Sequence, residues 1–312
     1  MASQARTMTA QGLLPRRRKR GRLNWLPYAL ALPILAYEAF FILYPIFNGM
    51  KLSLYRQPRG SQSLKWVGLE NYRRMWDSPA FWEMVRNTAV FTIGVIVIAV
   101  GFGLASALLL NRHFPGRTMA RAVMTLPWAF PDVPAVLTFI WMLNPNFGVM
   151  NVFARWLPWV DKNPTWLLDQ QLAMVSVILM SAWKGFPFYS LVILAALQTV
   201  SQDLADAARV DGANKIQTFR AVTLPAIMPT LLLLVILAVI FSFKQFTMIW
   251  LTTGGGPAGS TETIVIRVYN TAFRFYDFSY AAAIGVAGFV MVLIVSLVFL
   301  MLQRRQEMAI AG

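Results

Sequence analysis

The sequence predicts an all-α integral membrane protein with six transmembrane helices. Composition points to this class, because 57% of the 312 residues are hydrophobic and only 13% are charged, whereas soluble domains carry about 25% charged residues. The arrangement of the apolar residues points the same way, since they form six long segments separated by polar connectors. A strongly basic stretch before the first segment suggests which side of the membrane the chain starts on.

Net charge and rare residues narrow the function classes. The formal net charge is +15, but seven of the 28 basic residues precede Leu23 and the others are scattered among connectors, so membrane topology explains the charge better than nucleic acid does. Cysteine is absent, which excludes disulfides, thiolate metal sites and cysteine nucleophiles. The single histidine, His113, lies in a short polar loop, where a solvated residue is the usual case.

The first span is predicted at about residues 25–50, after a basic cytoplasmic tail at 1–24. It is too long for the apolar region of a cleaved signal peptide, so we interpret it as an uncleaved helix. Glu38 lies near its middle. A carboxylate at that depth is a candidate for the substrate pathway, and a hydrogen bond that packs two helices is the alternative.

The second and third spans are predicted at about 88–110 and 122–143. Aromatic residues in the preceding connector, 51–87, suit a helix at the lipid headgroups. The second span contains small residues that would allow close helix contact: Gly94, Gly101, Gly103 and Ala105. Three prolines break the third span, and broken helices survive at membrane depth when they are buried or face a cavity: Pro127, Pro131 and Pro134.

The last three spans are predicted at about 172–199, 226–251 and 280–302, followed by a cytoplasmic tail at 303–312. Lys184 lies within the fourth span, where it either faces a solute pathway or extends its stem to an interface. Lys244 and Gln245 form a second polar pair, in the fifth span. Six spans that start inside place both termini in the cytoplasm.

The polar segment between the fourth and fifth spans, 201–225, has strong local signals. Ser201 is a suitable N-cap, and acidic residues follow it in the first turns of a predicted helix. Asp211-Gly212 predicts a sharp turn, because glycine adopts positive φ readily. A second short helix is predicted to start near Asn214 and to stop near Leu224, since Pro225 disfavours helix just before it.

This segment resembles the EAA loop of binding-protein-dependent ABC importer permeases. The resemblance rests on DAARVDGA at 206–213, with Phe219 and Leu224-Pro225 at the family's spacing; Asp206 stands where the family usually has Glu. In that family the loop forms coupling helices that dock on an ATPase. The resemblance implies that the following residues couple this chain to ATP hydrolysis: Asp206, Ala207, Ala208, Arg209, Asp211, Gly212, Ala213, Phe219, Leu224 and Pro225.

Further matches are similar to the carbohydrate branch, the permeases for maltose and glycerol 3-phosphate. They include Val67–Tyr72, Leu126-Pro127, Trp183–Gly185 and the Gly-rich stretch 254–257. The resemblance implies the type I permease fold of ABC importers with cytoplasmic coupling helices, in the inner membrane of a bacterium or archaeon. It also implies a sugar or sugar-like substrate and a pathway that we expect to include Lys184, Tyr189, Lys244, Gln245 and Glu38.

The implied partners are a second homologous permease subunit, two ABC ATPase subunits and an extracytoplasmic solute-binding protein. This chain has no phosphate-binding P-loop; the nearest spacing, GGGPAGST at 254–261, has Ser260 where lysine is needed. We therefore expect no enzymatic activity, metal or cofactor on this chain, and ATP and Mg on the partner ATPase subunits.

Two other functions are possible for a polytopic membrane protein, and the sequence favours neither of them. An ion-coupled secondary transporter would be expected to carry acids in its spans, and only Glu38 and Asp132 lie there. An integral-membrane enzyme would need a catalytic set, for which one histidine and no cysteine leave little material.

Overall fold

The computed structural model describes residues 25–57, 63–158 and 160–311. The predicted basic tail at 1–24 lies outside these residues. The chain divides into two units, residues 1–48 and 49–312, which are described separately.

The first unit contains most of helix α1, Leu26–Ser53. Pro27 lies in its first turn, where the missing N–H of proline removes no intrahelical hydrogen bond. The helix widens into a π turn at Ala39–Leu43, directly after Glu38. Within the helix, Tyr37 packs on Phe41 with ring centroids 4.7 Å apart.

The second unit begins with a short hairpin that the sequence did not predict. Strand β1, Tyr55–Arg56, pairs antiparallel with β2, Lys65–Trp66. Helix α2, Glu70–Trp76, follows. The buried Asn71 joins this helix to the hairpin, because its amide Nδ2 donates to the carbonyls of Ser53 and Tyr55, at 2.8 Å each.

Two long helices form the centre of this unit: α3, Pro79–Leu110, and, later in the chain, Gln170–Leu197. α3 starts well before the predicted residue 88 and includes part of the aromatic connector. The two helices pack closely at Gly103, where an added Cβ would lie 2.9 Å from the Cβ of Tyr189 and 3.1 Å from the backbone nitrogen of Ser190. Gly94 also faces this contact, whereas Gly101 and Ala105 do not.

The predicted broken span is observed as two helices, α4, Arg117–Ala129, and α5, Asp132–Met142, bent by 93°. The break falls at Phe130-Pro131, where proline cannot donate to the preceding turn. A short helix α6, Met150–Ala154, lies in the following loop. The long helix Gln170–Leu197, here α7, begins at the N-cap Asp169, whose carboxylate accepts from the N–H groups of Gln171 and Leu172.

The predicted stop at Leu224 is wrong. After α8, Gln202–Val210, the chain forms one helix, α9, Lys215–Phe243, which passes Pro225 without interruption. A π turn at Phe219–Thr223 makes this possible: the Leu224 N–H bonds to the Phe219 carbonyl, five residues back, so the helix tolerates a residue that cannot donate. The second short helix predicted in the segment 201–225 and the predicted fifth span therefore belong to one continuous helix.

The predicted span at 226–251 is itself interrupted. α9 ends at Phe243, and a separate helix α10, Thr247–Thr252, follows. A Gly-rich loop then leads to α11, Ile264–Tyr269, which continues into a π turn at Asn270–Arg274. The loop is fixed to α3, because Asn87 Nδ2 donates to the Gly259 carbonyl (2.8 Å) and the Ile264 N–H donates to Thr88 Oγ1 (3.0 Å).

The last helix, α12, spans Phe278–Ala311 and continues through the predicted tail at 303–312. In the described part of the chain, five helices are long and apolar enough to cross a membrane, and the bent α4/α5 pair brings the number to six.

Candidate functional site

A cavity of about 490 Å³ opens where the two helix breaks meet the central helices. Phe91 and Val95, from the middle of α3, form one side, and Lys184, from the middle of α7, forms another. The cavity therefore lies about halfway along α3 and α7. Its full lining is Phe91, Val95, Trp128, Asp132, Ser181, Lys184, Gly185, Tyr189, Phe241, Ser242, Lys244, Gln245, Phe246 and Thr247.

Four of the five predicted pathway residues line this one cavity: Lys184, Tyr189, Lys244 and Gln245. Lys184 and Tyr189 come from α7, whereas Lys244 and Gln245 lie in the break after α9. The fifth, Glu38, belongs to the first unit, and its role stays a prediction.

Lys184 holds the break between α4 and α5. In a continuous helix the carbonyls of residues 128 and 130 would accept from residues 132 and 134, but residue 134 is proline and α4 has already ended. The Lys184 ammonium replaces these donors: Nζ bonds to the carbonyls of Trp128 (3.0 Å) and Phe130. It also forms an ion pair with Asp132 (3.3 Å), at the start of α5.

Two of the three N–H donors of this ammonium group therefore go to backbone carbonyls, and the Asp132 carboxylate balances its charge. The Lys184 side chain is 16% exposed, so little of it is open to the cavity. The predicted location of Lys184 beside the cavity is observed, but its bonds are made to the protein.

Lys244 differs from Lys184 in its exposure and, within the described part of the chain, in its lack of an acidic partner. It is the C-cap residue of α9, is exposed, and its Nζ lies 5.2 Å from the ring centroid of Phe241. Among the described residues, no Asp or Glu carboxylate forms an ion pair with it. Its charge therefore remains available in the cavity.

The sequence did not predict several lining residues, notably Trp128, Asp132, Ser181 and Thr247. Asp132 stood out only as an isolated acid within a span. Nothing in the sequence connects it to Lys184, because the contact depends on the 93° bend. Ser181 is buried, and its hydroxyl has no hydrogen-bond partner among the described residues.

The segment 201–225 forms a second candidate site, and the sharp corner predicted there is observed. Gly212 has φ +86°, and the Ala213 N–H closes the turn on the Ala208 carbonyl at 2.9 Å. Asn214 is the N-cap of α9: its side chain accepts from Ile216 and Gln217, and the Gln217 side chain accepts from the Asn214 N–H. Ser201 stands at the N-cap of α8, but its side chain makes no capping hydrogen bond.

The inward face of α8 consists of Ala205 and Ala208, which are half-buried, while Asp206 and Ala207 are exposed. Asp206 and Arg209 form an exposed ion pair at 2.8 Å; such pairs contribute little stability. Phe219 was predicted as an apolar anchor for a partner. It is half-buried and lines a cleft of about 910 Å³ beneath α8, and its role as an anchor stays a prediction.

The apolar groups that do project from this segment are Leu204, Val210 and Ile216. Val210 is 87% exposed and Ile216 65%. The sequence pattern hid them, because each is a single apolar residue among polar neighbours. These three side chains lie on the two helices that flank the corner at Gly212.

Comparison with known proteins agrees with this architecture. Residues 98–310 match the family described as binding-protein-dependent transport system inner membrane component. The trehalose/maltose transport system permease protein MalF of Thermococcus litoralis is 33% identical over 279 residues, covering 89% of this chain and 94% of that protein. The sulfoquinovosyl glycerol transport system permease protein SmoG of Agrobacterium fabrum is 32% identical over 274 residues, covering 88% and 86%.

A solved structure shares the fold. It is a bacterial ABC transporter involved in the import of the acidic polysaccharide alginate, with a TM-score of 0.78, 23% identity, and coverage of 90% of this chain and 96% of that chain. The predicted fold class, an all-α membrane permease, is confirmed.

Proposed function

Because the chain belongs to the family of binding-protein-dependent transport system inner membrane components, we propose that it is one permease subunit of an ATP-driven importer for a sugar or a sugar-like solute. It is a multi-pass protein of the inner membrane. It contributes half of a translocation pathway and couples that pathway to ATPase subunits through residues 201–225.

The observation that carries this proposal is the continuity of α9. The helix begins at the ordered corner, Gly212–Asn214, and ends at Phe243, beside the cavity. At 1.5 Å per residue, a helix of 29 residues is about 43 Å long. A displacement of the corner would therefore move α9 as a rigid body and reach Lys244 and Gln245 at its other end.

The lining of the cavity supports a saccharide as the solute. Trp128, Phe241 and Phe246 offer aromatic faces, and Tyr189, Gln245 and Thr247 offer polar tips. Binding sites for small molecules combine mostly apolar walls with a few polar groups in this way. The similar proteins named for trehalose, maltose and sulfoquinovosyl glycerol transport support the same substrate class.

The proposal includes the partners that such a subunit requires. A second homologous permease subunit completes the pathway, two ATPase subunits bind ATP and Mg, and an extracytoplasmic solute-binding protein delivers the solute. This chain carries no cofactor of its own, and both of its termini face the cytoplasm. Leu204, Val210 and Ile216 contact the ATPase, together with the motif residues between Asp206 and Ala213.

Co-purification and reconstitution test the proposal. The tagged chain should bring an ABC ATPase and a second permease with it, and the reconstituted complex should hydrolyse ATP faster with a sugar-loaded binding protein. Solute uptake by the chain alone, driven by an ion gradient, would instead support the ion-coupled secondary transporter.

A further inference from the structure

We infer that the cavity receives an anionic saccharide, and that Lys244 binds its carboxylate, sulfonate or phosphate group. The inference rests on the proposed function and deepens it by naming the substrate class. It follows from the charges around the cavity and from the bonds that each charged group already makes.

The charges in the lining do not cancel. Among the described residues, the Lys, Arg, Asp and Glu side chains that line it are Lys184, Lys244 and Asp132. The Asp132 carboxylate forms an ion pair with Lys184, which also donates to two backbone carbonyls. One positive charge is left, on Lys244.

Lys244 lies at a position that favours a cation, and its side chain is accessible. It ends a 20-residue helical segment, Leu224–Phe243, and a helix C-terminus favours a cation. The ring of Phe241, at 5.2 Å, adds a cation–π contact without using an N–H donor. A lysine at this depth is costly unless a counter-charge or water stabilises it, and such residues usually serve a ligand.

Neighbouring groups fit the rest of a saccharide. The buried Ser181 hydroxyl lines the cavity and has no hydrogen-bond partner among the described residues. A buried hydroxyl without a partner is uncommon, and a sugar hydroxyl would supply one. A volume of about 490 Å³ is within the range of small-molecule sites.

The first test measures the charge that the cavity presents, and it needs no substrate. Because the chain has no cysteine, Thr247→Cys introduces a single thiol into the lining. The measured quantity is the ratio of the reaction rates of an anionic and a cationic methanethiosulfonate reagent. In the assembled complex, we expect this ratio to be higher at the introduced thiol than at a free thiol in solution. Lys244→Gln should lower that ratio severalfold, while the remote Lys162→Gln should not change it.

The second test compares matched sugars through the complete importer with its binding protein. Suitable pairs are trehalose with trehalose 6-phosphate, and a galactose disaccharide with digalacturonate. We expect the anionic member to give the stronger ATPase stimulation. Lys244→Gln should weaken its apparent affinity about tenfold or more, as the loss of a charge-assisted hydrogen bond implies, and Lys244→Arg should retain most of it.

Two results would overturn the inference. A reagent ratio that does not respond to Lys244→Gln would mean that a carboxylate of the partner permease already neutralises this lysine. Stimulation by neutral sugars alone would exclude an anionic substrate and leave the importer assignment intact. Failure of every sugar to stimulate a complex that hydrolyses ATP would instead contradict the proposed function itself.

Discussion

At Lys184, one ammonium group joins two helices that proline has separated. It donates to the carbonyls of Trp128 and Phe130 and pairs with Asp132. Sequence reasoning identified Lys184 as a pathway residue because a charge at membrane depth is costly. The same cost explains a structural role equally well, and the contacts favour that role.

Replacing Lys184 with methionine should destabilise the protein. Two carbonyls that are exposed in this chain would lose their donors, at about 0.5–1.5 kcal/mol for each hydrogen bond, and Asp132 would lose its counter-ion. Asp132 is 48% exposed, so its share is smaller. We expect Lys184→Met to lower the thermal unfolding midpoint of the purified complex and Lys184→Arg to lower it much less. Equal midpoints for the two variants would contradict this account.

Asn214 forms a capping box with Gln217 at the start of α9. Its side-chain hydrogen bonds can be tested by single substitutions. Asn214→Ala should cost about 1 kcal/mol and should increase amide hydrogen exchange at residues 215–218. Asn214→Asp keeps the accepting oxygen and serves as the control. Unchanged exchange in the alanine variant would show that the cap does not order this end of the helix.

Among the helices, α3 packs against α7 so closely at Gly103 that a side chain there would clash. A side chain at Gly103 would meet the backbone of α7 at Ser190, which cannot rotate away, whereas nothing lies within 4 Å of a Cβ at Gly101. Small residues allow such close approach of helices in lipid.

We expect Gly103→Val to reduce the yield and thermal stability of the folded protein severely, because the two helices would have to separate. The matched substitution Gly101→Val, on the same helix, should be tolerated better. Fluorescence-detected size-exclusion chromatography of both variants would measure this. Similar behaviour of the pair would refute the packing argument.

The elements differ in how far the sequence predicts them. Hydropathy located every long helix, and the prolines of the third span correctly predicted a break, because both signals are local. Pro225 misled, since a π turn at Phe219–Thr223 lets the helix pass it. The break after Phe243 has no proline or glycine to announce it, and it was missed.

The candidate site was partly predictable for the same reason. Polar residues at membrane depth are rare enough to mark Lys184, Tyr189, Lys244 and Gln245 individually. Their division of labour was not predictable, because the Lys184 contacts span more than fifty residues of sequence and exist only in the bent geometry. The exposed apolar residues of the coupling segment, such as Val210, likewise depend on which face of α8 is buried.

At the scale of the whole molecule, one continuous helix, α9, joins the proposed docking corner to the cavity. Gly212 is the point where that connection is most sensitive. Its φ of +86° is disfavoured for residues with a Cβ and especially for β-branched ones, while asparagine tolerates it. No atom lies within 4 Å of an added Cβ at this position, so a substitution acts through backbone strain alone.

The most direct test compares Gly212→Val with Gly212→Asn in the reconstituted importer, with ATP hydrolysis and sugar uptake measured together. Strain of about 1–2 kcal/mol at the corner should misplace α8 against the ATPase. We predict that the valine variant inserts and assembles but loses most uptake and sugar-stimulated hydrolysis, while the asparagine variant retains both. Normal coupled uptake by an assembled Gly212→Val complex would contradict the claim that this corner transmits ATP-driven movement to the cavity.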